Sequence, residues 1–583
     1  MKIRRIALSA VSVLAAALMF CACSGIRNGS GGGGNASSGM DSHTAKQGAV
    51  IDLSSSDGIL NISSAGSYTL TGSLDGYVKV DTDGDVTLTL SGAEIRSAEA
   101  PAILVSSADK VTVLLAEGTD NVLWSGEECN LTGDDGKADG ALFSRADLVI
   151  DGEGSLSVTS EYKHGIVSKD SLTIDGGSIT VDSVKTGIEG KDSVLIRGGD
   201  LTVNGGTDGI KSTNDTDAGR GTVTVDGGKI SVASGDDGIY AVNDLTINGG
   251  TVDVMAGVGV SDGAKGLNCD GTITVNGGEI SVDAEDDAIH GVGDVLVNGG
   301  SLTLRSRDDG VHSDADVTVA GGTLAVTRSY EGIEAVNVSV SGGEITLVSS
   351  DDGINVTDGT DGMTHPMGGA SACTIDVSGG LIYVNAGGDG IDSNGSFNVS
   401  DGTVLVSGPT DNGNGALDYQ SDGAVTGGVV MAVGSQGMAM GFGGASAQPT
   451  LVTNVSGGAA GSRVTVCDGD GEVICSFVAE KEFANVVLAA PELKIGDKYT
   501  VFIGGECDGE AGTAGFVRGG KLTGGTAAAE VTLTESMGQP SQFTPGGAGP
   551  GGPGGMTPPD QGGGMAPPDQ GGGQMQPPGG ING

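Results

Sequence analysis

The amino-acid sequence predicts an all-β chain wound as a right-handed parallel β-helix, a solenoid of ~22-residue coils. Three observations predict it. Paired glycines begin at Gly176, Gly198, Gly227, Gly249, Gly277, Gly299, Gly321, Gly342 and Gly379, at spacings of 22, 29, 22, 28, 22, 22, 21 and 37 residues. Each pair precedes an alternating segment such as Ile179-Thr180-Val181, Ile230-Ser231-Val232 or Leu302-Thr303-Leu304, the period of a strand with one buried face. An acidic turn then ends in glycine and an apolar residue, as in Asp237-Gly238-Ile239, Asp309-Gly310-Val311, Asp352-Gly353-Ile354 and Asp389-Gly390-Ile391. A second strand, such as Leu245-Thr246-Ile247, leads into the next pair. One coil cannot bury its apolar face alone, whereas stacked coils pair every strand edge in parallel and share an aliphatic core. A sandwich or propeller would need antiparallel hairpins and repeats near ~40 residues.

Composition agrees with a glycine-tolerant fold. The chain of 583 residues holds 111 glycines and only 3% aromatics, which excludes an ordinary aromatic-cored enzyme. With 28 basic and 75 acidic residues the net charge is −47, a field that repels nucleic acid and attracts divalent cations. No nucleic-acid partner is expected.

Taken in order, residues 1–23 read as a lipoprotein signal peptide: Lys2, Arg4 and Arg5 precede an apolar stretch over 6–20 that is too short to span a bilayer comfortably. Cys23, preceded by small Ala22, is the expected lipidation site, and Cys21, preceded by bulky Phe20, the weaker one. The protein is therefore expected to be exported and lipid-anchored at the cell membrane and surface; simple secretion is the alternative. Residues 24–49 form a Gly/Ser linker. The solenoid is expected over 50–435, with weaker coils at Val78-Lys79-Val80, Val86-Thr87-Leu88 and Val111-Thr112-Val113. Coils ~4.8 Å apart would make a rod on the order of 65 Å long. Residues 436–535 read as a small β domain capping the core, with strands at Arg463-Val464-Thr465-Val466, Val473-Ile474-Cys475 and Tyr499-Thr500-Val501-Phe502. The Gly/Pro-rich tail, 536–583, is expected to be disordered. Cys467 and Cys475 flank Asp468-Gly469-Asp470-Gly471, so a hairpin disulfide and two buried thiols are both open.

The candidate chemistry lies at the acidic turns. Aligning the coils places Asp208, Asp237, Lys265, Asp287, Asp309, Glu331, Asp352 and Asp389 in one outward column, with Asp236, Asp286, Asp308 and Asp351 one step earlier. Like charges stacked at this spacing repel by roughly 1 kcal/mol per pair in water, and by about 3 to 4 at an effective dielectric of about 20. Ca²⁺ would relieve the repulsion, because it accepts six to eight oxygens in flexible geometry. The alternative is turn chemistry, with aspartates capping backbone amides beside glycine. A third column follows each apolar residue: Glu189, Lys211, Tyr240, Asn268, His290, His312, Glu334, Asn355, Asp392 and Asp418. His290 and His312 fall on adjacent coils, as a metal pair or as ordinary surface histidines. The expected metal ligands are Asp208, Asp236, Asp237, Asp286, Asp287, Asp308, Asp309, Asp351, Asp352, Asp389 and Asp392. Insertions over 214–221, 256–264 and 357–370, the last holding His365, extend loops from the corners.

These residues also resemble a known family. Ala116-Glu117-Gly118-Thr119-Asp120-Asn121-Val122-Leu123, the repeated Leu-Thr-Ile-Asn/Asp-Gly-Gly with Asp-Asp-Gly-Ile, and Pro491-Glu492-Leu493-Lys494 ahead of Gly496 and Tyr499-Thr500-Val501 are similar to carbohydrate-binding β-helix lipoproteins of clostridial type. The resemblance spans about 50 to 535. It implies a helix like that of polysaccharide lyases, calcium along it, and a plant polysaccharide partner such as cellulose or polygalacturonate, without catalysis. A flat cellulose surface wants several stacking aromatics, and this sequence offers only scattered Trp124, Tyr162, Tyr240, Tyr330, Tyr383 and Tyr419. An acidic glycan would need Ca²⁺ to bridge carboxylates on both sides. Two alternatives stay open: a calcium-stiffened structural or adhesive rod, and a calcium-dependent lyase drawing its base from Lys211, Arg220 or Lys265.

Overall fold

The computed structural model describes residues 42–56, 58–259, 263–357 and 372–534. The signal peptide with Cys23, most of the linker, His365 and the Gly/Pro-rich tail lie outside these residues. The chain is all-β and winds as a parallel β-helix, with three strands in each coil. One coil contributes Ser171–Ile174, Ser178–Ser183 and Ile188–Gly190, and the next contributes Ser193–Ile196, Asp200–Gly205 and Ile210–Ser212. Successive coils pair in parallel along three ladders, with Leu172 against Val194, Ile179 against Leu201 and Ile188 against Ile210. In each ladder the inward residues are mainly Ile, Val and Leu, and one continuous core runs from Leu53 to Ala489. The insertion over 214–221 joins a third-ladder strand to the following first-ladder strand, Thr222–Val225, so it enlarges a corner without breaking a ladder.

Two kinds of glycine set the corners. In the pair before the second ladder the second glycine is left-handed, as at Gly250 (φ +91°), where an added Cβ would lie 2.7 Å from the carbonyl oxygen of Gly228 one coil earlier. The glycine of the acidic turn answers to crowding instead. At Gly238 a Cβ would fall 2.2 Å from Val254 Cγ1 and 2.6 Å from the Gly266 carbonyl oxygen. Just ahead of the glycine pairs a side-chain ladder climbs the outer surface: Asn248 donates to Asp226 at 2.8 Å, Asn276 to Asn248 at 2.8 Å and Asn298 to Asn276 at 2.9 Å. Asn248 and Asn276 each give one bond down and take one from above, which pins coil to coil.

The last parallel strand, Val429–Gly434, is met by the antiparallel strand Phe483–Ala489, which also pairs with Thr450–Gly458. A separate antiparallel sheet of Val473–Ala479, Ser462–Cys467, Lys498–Ile503 and Thr526–Thr532 follows. Its core joins the outer face of the helix through Tyr383, Leu405, Met431 and Val433. Phe442 fills the end of the helical core, 5.6 Å from the Phe397 ring and 5.9 Å from the Tyr419 ring, whose hydroxyl donates to the Gly441 carbonyl at 2.8 Å. Cys467 and Cys475 are buried free thiols on a hairpin: Cys475 stands opposite Val466 and Cys467 opposite Val473, so neither faces the other directly.

Candidate functional site

The third ladder orders the acidic turns as its register dictates. Ile188, Ile210, Ile239, Leu267, Ile289, Val311, Ile333, Ile354, Ile391 and Leu417 stack inward, and the residue after each faces outward. The column two positions before them differs from the outward placement expected from sequence. Asp208, Asp237, Asp287, Asp309 and Glu331 are buried, and Asp352 and Asp389 half-buried, because each carboxylate tucks under the next coil.

In most of these aspartates the two oxygens have separate roles. Oδ1 accepts a backbone N–H from the same position one coil on: Asp237 from Lys265 at 2.9 Å, Asp287 from Asp309 at 3.0 Å, Asp309 from Glu331 at 3.2 Å, and Asp352 from Asp389. This is turn chemistry carried between coils. Oδ2 is left to side chains, three from the outward column and one, Lys265, from the acidic column itself. It meets Lys211 Nζ at 3.0 Å for Asp208, Asn268 Nδ2 at 2.6 Å for Asp237, Lys265 Nζ at 3.4 Å for Asp287 and His312 Nδ1 at 3.2 Å for Asp309.

The face therefore divides by charge. In its first half, Lys211 neutralises Asp208, while Lys265 lies between Asp286 and Asp287. Asp236 is exposed, and the Asp308 carboxylate lies within 4.8 Å of those of Asp286 and Asp287. In the second half His312 is the base that pairs with Asp309, Glu334, Asp287 and Asp314. Beyond it, ligand atoms of Asp352, Asp389 and Asp392 lie within 4.8 Å of one another. Asn355, register partner of Asp392, has a buried Oδ1 with no hydrogen-bond partner among the described residues. An all-oxygen set of carboxylates beside an amide oxygen fits a hard cation such as Ca²⁺. Asp351, half-buried, precedes this group.

Electrostatics follow the same division. Burial first, then the neighbouring charges of Asp389, Asp351 and Asp418, push the Asp352 carboxyl up to about 7, although the Asp389 N–H opposes this. Burial and Asp418 likewise raise Asp389 to about 6. Glu331 rises to about 9 through burial and the charges of Asp309 and Glu334, and Asp309 to about 7, chiefly through burial. Burial alone would depress His312, but its bond to Asp309 and the charges of Asp287 and Glu334 lift it to about 9. His290, buried near Lys265 and His312, falls to about 4. The two rings sit 5.1 Å apart, edge to face.

In the sequence His312, Glu331 and Glu334 are column members outside the expected ligand set. Only the register brings Asp309, His312 and Glu334 within 4.8 Å of one another as a group. The candidate lyase bases are engaged: Lys211 with Asp208 and over the Tyr240 ring at 4.8 Å, Arg220 with Asp192, and Lys265 with Asp286. Two of the scattered aromatics, Tyr383 and Tyr419, are buried in the packing that closes the helix and serve no surface.

The third ladder of the β-helix thus carries an acidic face. The family described as carbohydrate-binding domain-containing protein matches residues 56–310 and 300–471, and this chain belongs to it. A carbohydrate-binding domain-containing protein of Acetivibrio thermocellus is 34% identical over 188 residues, which cover 31% of this chain and 66% of the relative. The solved structure of a polysaccharide lyase-like protein from C. thermocellum, a gadolinium derivative, is 32% identical; the match covers 38% of this chain and 83% of that one, with a TM-score of 0.32.

Proposed function

We propose that this protein binds an acidic plant cell-wall polysaccharide of polygalacturonate type through Ca²⁺ held on the second half of the acidic face, without cleaving it. The group Asp352, Asp389 and Asp392 carries this reading, since its oxygens converge where the lysines of the first half no longer reach. A divalent ion there would relieve the crowding of carboxylates and leave positions for a uronate, so glycan and calcium would bind with mutual reinforcement. Cellulose suits the surface less well, because the exposed aromatics are too scattered to form a stacking platform. The engaged state of Lys211, Arg220 and Lys265 favours binding over proton abstraction. A second reading, a stiffened rod with no glycan ligand, draws support from the Oδ1 bonds that tie coil to coil.

Titrating polygalacturonate by calorimetry should show binding in millimolar calcium that drops at least ~10-fold in EDTA, a loss of about 1.4 kcal/mol or more. Asp352→Asn with Asp392→Asn should weaken it similarly. Equal binding in EDTA would remove calcium from the account, no binding would favour the rod, and a growing unsaturated-uronate absorbance would establish a lyase. We also propose lipid anchoring at Cys23. Cys23→Ala should release the protein to the medium, and its retention in the membrane fraction would point to Cys21 or to another means of attachment.

A further inference from the structure

Separately from glycan binding, the geometry points to a second metal position of different chemistry: a site for a borderline divalent cation of the zinc class, with Asp309 Oδ2, His312 Nδ1 and Glu334 Oε2 as ligands. Asp309 and His312 belong to one coil and Glu334 to the next, and their ligand atoms lie within 4.8 Å of one another. His312 Nδ1 is 3.2 Å from Asp309 Oδ2 and 3.6 Å from Glu334 Oε2. Ligands at 2.0–2.1 Å from a tetrahedral ion are spaced ~3.3 Å apart, so both separations already approach the edges of such a site. Calcium prefers six to eight oxygens, and an imidazole nitrogen argues against it.

Two further observations point to a ligand. Glu331 is only 9% exposed, its Oε2 is buried with no hydrogen-bond partner among the described residues, and the charges of Asp309 and Glu334 bear on its carboxyl from the same group. Such an atom in a native interior needs a counter-ion or water. The second is the far side of the ring: Asp314 Oδ1 lies 3.4 Å from His312 Nε2. A carboxylate there holds the proton on Nε2 and turns the Nδ1 lone pair toward the acids, the usual support of a metal-bound histidine. A cavity of about 240 Å³ lined by His312, Asp314, Glu334 and Thr357 opens beside the group, giving an ion a route in and a fourth position for water or a ligand oxygen.

The test uses the full chain stripped with chelator, then titrated with Co²⁺ and Zn²⁺. One equivalent of Co²⁺ should give the intense visible absorption of a tetrahedral complex, displaced by equimolar Zn²⁺ but not by millimolar Ca²⁺. His312→Gln should lower zinc affinity at least ~100-fold while leaving the calcium response of melting intact. Glu334→Gln, at a partly exposed position that does not threaten folding, should lower it ~10-fold or more. Unchanged zinc affinity in both variants would overturn the site, as would loss of the cobalt signal to calcium at equal concentration. In either case His312 would serve only as the positive centre of an ion-pair cluster.

Discussion

In chelator the protein should melt at progressively lower temperature as the pH rises from 5 to 8.5, and calcium should restore most of the loss. The folded chain holds the carboxyls of Asp309, Glu331, Asp352 and Asp389 at about 7, 9, 7 and 6. In the unfolded chain such groups titrate near ~4. Between those limits the folded state binds more protons than the unfolded, so stability is fully present below the unfolded values and falls as pH climbs through the folded ones. His312, raised to about 9, has the same sign above its unfolded value. His290, lowered to about 4, has the opposite sign between that value and ~6.5, but it is one group against several. Discounted for partial exposure, Asp352 alone contributes on the order of 2 kcal/mol. Calcium selects the deprotonated form and adds RT ln(1 + [Ca²⁺]/Kd), about 2.7 kcal/mol at one hundred times Kd. Replacing Asp309 and Asp352 by Asn should flatten the pH slope in chelator and raise stability there at pH 8, and the loss of Asp352 should shrink the calcium gain. Identical melting in EDTA and millimolar calcium across this pH range would reduce the acidic turns to backbone caps.

The second large effect is steric. Gly238→Val should destabilise the helix by about 3 kcal/mol or more, whereas Gly238→Ala should cost about 1. The corner at Gly238 abuts the Gly266 carbonyl and Val254 of the following coil. Ala288 and Ala416 occupy the equivalent corner in other coils and are buried there, so a single methyl group can be accommodated by a small shift. Among the described coils with an acidic turn, only glycine or alanine stands at this corner, and the two further methyls of valine would strain the Asp237 bond to the Lys265 amide as well. Thermal melts of the two variants decide it; a valine variant that melts within about 2 °C of the parent would show that the corner is looser than its distances imply.

Much of this architecture could be read from residues alone, because the glycine pairs and alternating strands repeat at the length of the coil. The third-ladder register pairs Lys211 with Tyr240, Asn268 with His290 and His290 with His312, the outward neighbours that the aligned turns anticipate. What could not be read was burial. An aspartate beside glycine looks solvated in one dimension, and only the next coil's backbone, stacked over Asp287 or Asp309, removes it from water. Nor does anything adjacent to Phe442, in a stretch rich in glycine and methionine, mark it as the residue that fills the end of the core. His312 was visible as a column member, but its four carboxylate neighbours come from separate turns and strands that only the winding assembles.

The strand Phe483–Ala489 bears on a hazard particular to near-identical coils. A bare terminal coil is a template for the terminal coil of any other copy, since edge spacing and side-chain register already match. Here the last coil meets an antiparallel strand, whose hydrogen-bonding pattern no parallel newcomer can copy, and Phe442 occupies the hole into which a foreign aliphatic stack would otherwise dock. On this ladder the antiparallel strand thus opposes growth into a fibre, and Phe442 opposes it in the core, so the end of the helix is a poorer template for a second copy than its own coils are for one another.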